Sequence, residues 1–377
     1  MKSRIYIEAY DCVTSTGNNP ASFWNALDRG FSGMKAADTK EWPLKIKNYW
    51  ADQSHAPIVC KVSDHHQSAL ETLSSKLALV ARAALKNVEG ESFGIIFAST
   101  KGAVEDFVWG EEFSDSVDPL ELVLNETIKK LSKNKWKLKQ VVSNSCASSH
   151  TAFALASKWI EADACDKVLV IAGDLIGPFI HTGFQSLKAL SGEMARPFQD
   201  NRDGLVLGEA MTAIILSDKE SEFELLDCQI FNEAHTVTGA SPEGRGLFEC
   251  IKNLRVGITK PDFAIAHGTA TFLNDQIEDK VLSEAQRRFE NLFFISGTKW
   301  SIGHTLGASG SVDLIAAMES LKNQRVFSLN AKYLKNTTEA TNYVYETSKA
   351  ATLETVLVTS LGFGGTNGAL MVKRCVQ

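Results

Sequence analysis

One cysteine, two histidines and a lysine in this chain have the types and settings that nucleophilic catalysis needs. Cys146 lies in Val141-Val142-Ser143-Asn144-Ser145-Cys146-Ala147-Ser148-Ser149-His150, between an apolar pair and a long run of small residues. Its thiolate would be the nucleophile. Cys12, Cys60, Cys165, Cys228, Cys250 and Cys375 have no comparable setting. His267 lies in Ala266-His267-Gly268-Thr269-Ala270-Thr271, and His304 in Lys299-Trp300-Ser301-Ile302-Gly303-His304-Thr305-Leu306-Gly307. Glycines beside each ring allow close approach of backbone and ligand. Lys299 must be paired if it is buried, and Asp313 is the partner expected. Ser360-Leu361-Gly362-Phe363-Gly364-Gly365-Thr366-Asn367-Gly368 is followed by apolar Ala369-Leu370-Met371-Val372, which reads as a strand. A phosphate-binding loop should open a helix, so this loop offers backbone N–H donors for an oxyanion instead.

Such residues need elements to hold them. Val141-Val142 reads as the end of a strand, and Phe153, Ala154, Ser157 and Ile160 recur at helical spacing. Cys146 then sits at a strand-to-helix turn, where free amides and the helix dipole are expected to lower the thiol's pKa. Strands are expected at Ile5–Ile7, Phe93–Ala98, Val168–Gly173, Met211–Leu216, Phe263–Ala266, Thr355–Ser360 and Ala369–Val372. Helices are expected at Ala21–Leu27, Ala69–Leu85, Leu120–Leu131, Ile277–Phe289 and Ser311–Leu321. Apolar strands alternating with long helices specify an α/β fold with sheets covered on both faces. The element order repeats between residues 1–220, with the cysteine, and residues 221–377, with both histidines. Residues 38–57, rich in Trp and Lys, read as an excursion loop. Arg196-Pro197-Phe198-Gln199-Asp200-Asn201-Arg202-Asp203-Gly204 reads as a structural ion-pair turn.

The composition narrows the class. A chain of 377 residues with 44% hydrophobic content can bury a large core, and a net charge of −6 argues against nucleic-acid binding. Seven cysteines without pattern make a disulfide framework unexpected, and no CxxC pair suggests zinc. There is no signal-type h-region and no run long enough to cross a bilayer, so a reducing cytoplasm is the expected location.

Taken together, Cys146, the glycine-flanked His267 and His304, Lys299 and the Gly362-Phe363-Gly364-Gly365-Thr366-Asn367 loop resemble the β-ketoacyl synthases, condensing enzymes of the thiolase superfamily. The resemblance runs nearly end to end. It includes Thr16-Gly17-Asn18 with Phe23-Trp24, Gly183-Phe184, Ala195-Arg196-Pro197-Phe198, and Arg202-Asp203-Gly204 with Gly208-Glu209. It implies a duplicated αβαβα five-layer thiolase-like fold, as a homodimer or as a heterodimer with a related synthase chain. It implies that Cys146 accepts the acyl chain, that His267 and His304 are the catalytic histidines, and that Lys299, paired with Asp313, supports them. Phe363 would be the gate, with Gly362 and Gly364 supporting it, and its N–H and that of Cys146 would form the oxyanion hole. The reaction implied is decarboxylative condensation of an acyl thioester with malonyl-acyl carrier protein, in fatty-acid or polyketide synthesis. It needs no metal or redox cofactor; the carrier's phosphopantetheine presents the substrates. An acidic carrier implies a basic patch near the tunnel mouth.

The chain departs from the family pattern in places. Leu361 stands where the family usually has phenylalanine, and Phe272-Leu273-Asn274-Asp275 has a form shared with polyketide-type relatives. Between Ala98 and Leu131, where the family builds acyl pocket and dimer contact, Lys101-Gly102-Ala103-Val104-Glu105-Asp106-Phe107-Val108-Trp109 is charged and bulky. These features bring a polyene or aryl polyene chain among the implied products. A silent partner subunit, or chain-length factor, is the alternative, against which Cys146 counts. A thiolase would carry a second cysteine near its C-terminal glycine loop, which Phe363-Gly364-Gly365 does not supply.

Overall fold

The computed structural model describes residues 4–39, 42–43, 46, 57–62, 68–90, 92–109, 117–131, 136–237, 239–330 and 342–375. Most of the excursion loop expected at 38–57 lies outside them. Eleven strands form one sheet: β1 (Ile5–Thr14), β2 (Phe93–Ala98), β3 (Trp136–Val142), β4 (Lys167–Asp174), β5 (Ala210–Ser217), β6 (Phe223–Asn232), β7 (Phe263–Ile265), β8 (Phe294–Ser296), β9 (Asn342–Tyr343), β10 (Thr355–Gly362) and β11 (Thr366–Arg374). The helices used below are α1 (Ala69–Leu85), α2 (Val104–Trp109), α3 (Pro119–Leu131), α4 (Ser148–Glu161), α5 (Pro178–Ser186), α6 (Arg245–Lys252), α7 (Phe272–Phe289) and α8 (Ser309–Asn323).

The strand pairing repeats. β1 pairs antiparallel with β5, β5 antiparallel with β4, and β4 and β3 flank β2 in parallel. β6 pairs antiparallel with β11, β11 antiparallel with β10, and β10 and β8 flank β7 in parallel. The two sets join where Ile5–Ile7 of β1 pairs with Phe223–Leu225 of β6.

Side chains of the first set alternate between two cores, as a period-two strand buried on both faces must. Ile95, Phe97, Leu169 and Ile171 pack outward against Leu73 and Leu77 of α1 and Val123 and Leu124 of α3. Ile96, Ala98, Val168 and Val170 pack inward with Phe153 and Ala156 of α4 and with α8. Beyond the second set lie α6 and α7, through Leu247, Ile251, Ile277, Val281 and Leu282. The layers read α, β, α, β, α, the thiolase-like arrangement. Ser309–Leu321 of α8 are all buried, which explains why that helix is built from small residues. None of the described helices is long and apolar enough to cross a membrane.

Most expected elements occur with longer ends. β6, most of β3, β9, α2, α5 and α6 are not among the expected elements. β3 alternates exposed Lys137, Lys139 and Gln140 with half-buried positions, so only its apolar end, Val141-Val142, carries a strand signal.

Candidate active site

The sheet delivers Cys146, His267, His304 and Phe363 beyond the carboxyl ends of strands, while Lys299 opens a short helix, Lys299–Ile302, and Asp313 lies in α8. Cys146 follows β3, with Ser145 at φ 49° and α4 starting at Ser148. Ser148 Oγ locks this turn, accepting from the Asn144 N–H (2.8 Å) and donating to Ser145 O (2.6 Å). His267 follows β7, and His304 lies between β8 and α8. The glycine loop joins β10 to β11 as a tight strand–turn–strand, as its sequence requires. Gly364 is at φ +82°, a conformation that side chains rarely adopt, and a Cβ at Gly362 would lie 3.3 Å from the Cys146 nitrogen.

The fold thus brings together residues far apart in sequence. His304 Nε2 is 3.1 Å from Cys146 Sγ, and the two imidazole rings stand 5.1 Å apart at 88°. The Leu306 N–H donates to His304 Nδ1 at 3.1 Å, which leaves the imidazole proton on Nε2, facing the sulfur. The Phe363 backbone N–H also acts on the thiol, favouring its charged form. Lys299 Nζ is 3.3 Å from Asp313 Oδ2, and Thr298 Oγ1 donates to Asp313 Oδ1 at 2.5 Å. Phe363 stacks on Phe184 at 5.6 Å. Cys146, His267, His304 and Phe363 line a cavity of about 100 Å³ with Phe184, Leu205 and Leu273.

Burial sets the protonation states. It holds His304 down to about 3 and His267 well below the usual imidazole range, with the Lys299 charge adding to both. Both rings are therefore neutral donors at any physiological pH. The thiol corrects one expectation. Burial pushes Cys146 up to about 11, outweighing Lys299 and the Phe363 N–H, so the site does not hold a low-pKa thiol. Between about pH 7 and pH 10, alkylation of Cys146 by iodoacetamide is expected to accelerate about tenfold per pH unit. A rate that levels off near pH 8, read by intact-protein mass, would show the helix start prevailing over burial.

Sequence reading missed the residues that hold the histidine loops. Glu278 of α7 accepts from the His267 N–H (2.7 Å), the Gly268 N–H (2.7 Å) and Thr359 Oγ1 (2.7 Å). Burial raises its carboxyl to about 7. Asp275, one turn earlier, accepts from the Ala270 and Phe198 N–H groups, tying the charged turn at 196–204 to the His267 loop. That turn is indeed ion-paired: Arg196 meets Glu193 and Asp203. The Asp275/Glu278 spacing puts both carboxylates on one helix face, a signal present in the sequence. Asp174, at the end of β4, joins the Thr100 N–H to the Gly307 N–H beyond His304.

Cys146 Sγ and one nitrogen of each histidine lie within 4.8 Å of one another, a donor set that zinc could use. The tautomer opposes it, because the His304 nitrogen facing the sulfur carries the proton and Leu306 holds the other lone pair.

Known proteins place this arrangement. The family models "Beta-ketoacyl synthase, N-terminal domain" and "Beta-ketoacyl synthase, C-terminal domain" match residues 138–222 and 223–330. A putative mitochondrial 3-oxoacyl-[acyl-carrier-protein] synthase of Schizosaccharomyces pombe is 25% identical, over 99% of this chain and 100% of its own. Two solved structures share the fold. A type II polyketide ketosynthase in complex with its acyl carrier protein, bound to the hexaketide, matches with TM-score 0.83 and 19% identity over 100% of both chains. A Xenorhabdus doucetiae ketosynthase in complex with its chain length factor matches with TM-score 0.78 and 22% identity, over 99% of this chain and 98% of that one. On the adjoining family matches, which together span residues 138–330, and on this likeness along its whole length, the chain belongs to the β-ketoacyl synthases, acyltransferases of the condensing type.

Proposed function

We propose that this enzyme carries out a decarboxylative Claisen condensation on Cys146. The Cys146 sulfur attacks an acyl thioester on the phosphopantetheine of a carrier protein; the carrier's thiol leaves with the proton, and the acyl chain stays on the enzyme. A malonyl thioester then enters. Its C–C bond breaks, carbon dioxide leaves, and the electron pair moves onto the thioester oxygen as an enolate. His267 and His304, both neutral, donate hydrogen bonds to that oxygen. The enolate carbon attacks the Cys146 thioester, whose oxyanion is held by the N–H groups of Cys146 and Phe363. Collapse expels the cysteine sulfur and releases a 3-oxoacyl thioester. No metal or redox cofactor enters the scheme.

The observation that carries this reading is the fixed His304 tautomer, its Nε2–H 3.1 Å from Cys146 Sγ. Burial keeps both imidazoles neutral, and the charge of Lys299, held by Asp313, adds to it. The reading of two halves, 1–220 with the nucleophile and 221–377 with the histidines, draws its support from the repeated strand order.

A carrier fits beside the mouth. A groove lined by Lys280 and Arg287 shares Leu273 and Ile277 with the cavity, and Arg202 lies 4.9 Å over the exposed Phe272 ring. A second chain, identical or related, fits at β3, which among the described residues pairs only with β2 and leaves an edge free. The solved ketosynthase with its chain length factor favours a heterodimer as the second reading; in it this chain is the active member, because its cysteine and histidines are complete. Fatty-acid, polyketide and polyene chains are all chemically open to this mechanism.

The test is incubation with a panel of acyl-carrier and acyl-CoA thioesters, followed by malonyl-carrier. Mass added at Cys146 and a 3-oxoacyl product are expected. Absence of acylation with every donor would refute the enzyme reading.

A further inference from the structure

We infer that Asp174 is a positioning residue for the reaction: its carboxylate holds the Leu306–Gly307 turn in the conformation that keeps the His304 proton on Nε2. This rests on the condensing reading above, in which that Nε2–H is a donor to the enolate oxygen. Leu306 stands at φ 53°, in the left-handed region that a bulky apolar residue rarely adopts. The turn aims the Leu306 N–H at His304 Nδ1, 3.1 Å away. Such a backbone persists only where its surroundings over-determine it. Here the restraint falls on the next residue. The Gly307 N–H donates to Asp174 Oδ2 at 2.9 Å, and Gly307 O accepts from Ser149 Oγ of α4 at 2.5 Å. A Cβ at Gly307 would lie 2.8 Å from Ser99 Cα and 2.9 Å from Asp174 Oδ2, so only glycine lets the chain come this close.

Asp174 is itself buried at the end of β4 and anchored on its far side. It accepts from Ser99 Oγ (2.7 Å), Thr100 Oγ1 (3.0 Å) and the Thr100 N–H (3.0 Å), so the carboxylate is fixed independently of the His304 loop. Hydrogen bonds to a charged acceptor are roughly twice as strong as neutral ones, and the Gly307 N–H makes one of them. Without it, Leu306 relaxes to negative φ and its N–H leaves Nδ1. Another partner for the ring is already in place. Ser309 Oγ lies 3.2 Å from His304 Nδ1 and can accept from a protonated Nδ1. The proton then resides on Nδ1, and the Nε2 lone pair faces Cys146 Sγ at 3.1 Å. The two half-reactions respond in opposite senses. Decarboxylation loses a donor to the enolate oxygen. Acylation keeps the imidazole against the sulfur, now as an acceptor for the thiol proton.

The experiment reads the tautomer directly. In protein labelled with 15N-histidine, long-range proton–nitrogen correlation separates protonated from unprotonated ring nitrogens, and the His304 signals are assigned by their loss in His304→Gln. The wild type is expected to show the Nε2–H form alone. Asp174→Ala is expected to show the Nδ1–H form and to leave acylation of the native cysteine unchanged or faster. In the Cys146→Gln background it should slow malonyl decarboxylation about tenfold, part of the roughly 10²- to 10³-fold effect of deleting a donor outright. Asp174→Asn, which removes the charge but keeps the acceptor, is expected to retain both the Nε2–H form and the decarboxylation rate. If the alanine variant does not fold, Asp174→Ser, too short to reach Gly307, is read in the same way. An unchanged Nε2–H form in the alanine or serine variant would overturn the inference and leave the condensing reading standing. So would acylation and decarboxylation falling together, or an asparagine variant that behaves like alanine. Absence of decarboxylation from Cys146→Gln itself would count against the condensing reading, while the tautomer would still decide the role of Asp174.

Discussion

Cys146→Ala is expected to show no mass gain with any acyl donor and to lose chain extension by about 10⁵-fold or more, the scale seen when a covalent nucleophile is removed. The size of the effect follows from its position. Cys146 Sγ is the atom that His304 Nε2 meets at 3.1 Å, and no other described cysteine lies with the two histidines. Cys146→Gln separates the two halves of the reaction. Its amide cannot be acylated, but its carbonyl can occupy the oxyanion site and imitate the loaded chain. Malonyl decarboxylation should therefore persist in Cys146→Gln while condensation is absent. An alanine variant that still extends chains would place the nucleophile elsewhere.

His267→Ala and His304→Ala, each in the Cys146→Gln background, are expected to slow malonyl decarboxylation by about 10²- to 10³-fold, corresponding to about 3 kcal/mol per lost donor. The two histidines should differ in the first half-reaction. His304 Nε2 touches the sulfur, so His304→Ala in the native-cysteine enzyme should also slow acylation. His267 has no hydrogen bond to the sulfur among the described contacts, so His267→Ala should leave acylation nearly unchanged. Equal effects of both variants on acylation would contradict this division.

The pH dependence follows from the same environment. An imidazole held at about 3 is protonated only below that value, so His304 should contribute no acid limb between pH 5 and pH 8. Glu278, raised to about 7, and Asp275, raised to about 6, both by burial, are the groups expected to titrate in that range. An acid limb near pH 6.5 that survived both Glu278→Gln and Asp275→Asn would show that a histidine, not a carboxylate, is changing charge.

The secondary structure was legible where burial is uniform. Ala69–Leu85 carries an unbroken helical stripe, and Phe93–Ala98 is apolar because both faces of β2 are covered. It was illegible where exposure is mixed. β6 alternates buried and half-buried positions from Phe223 to Asp227 and is then half-buried up to exposed Asn232; an acidic residue fills the buried position 227 and apolar Leu226 a half-buried one, so residue type does not follow the alternation.

The site divides in the same way. Residue types and local turn chemistry by themselves determined the participants: a thiol at a strand-to-helix turn, imidazoles in glycine-rich turns, and a loop whose following strand makes it a source of amides. Those are properties of a few adjacent residues. Tertiary structure decided how the groups behave. Burial of Cys146 by both halves reversed the expected direction of its pKa. The fold brought Cys146 and His304, 158 positions apart, into contact and thereby gave the locally set Nε2–H its target. Glu278 became the anchor of the His267 loop only because α7 packs beneath it. Desolvation and hydrogen-bond partnership depend on which surfaces meet, and those meetings lie at sequence separations that no local pattern encodes.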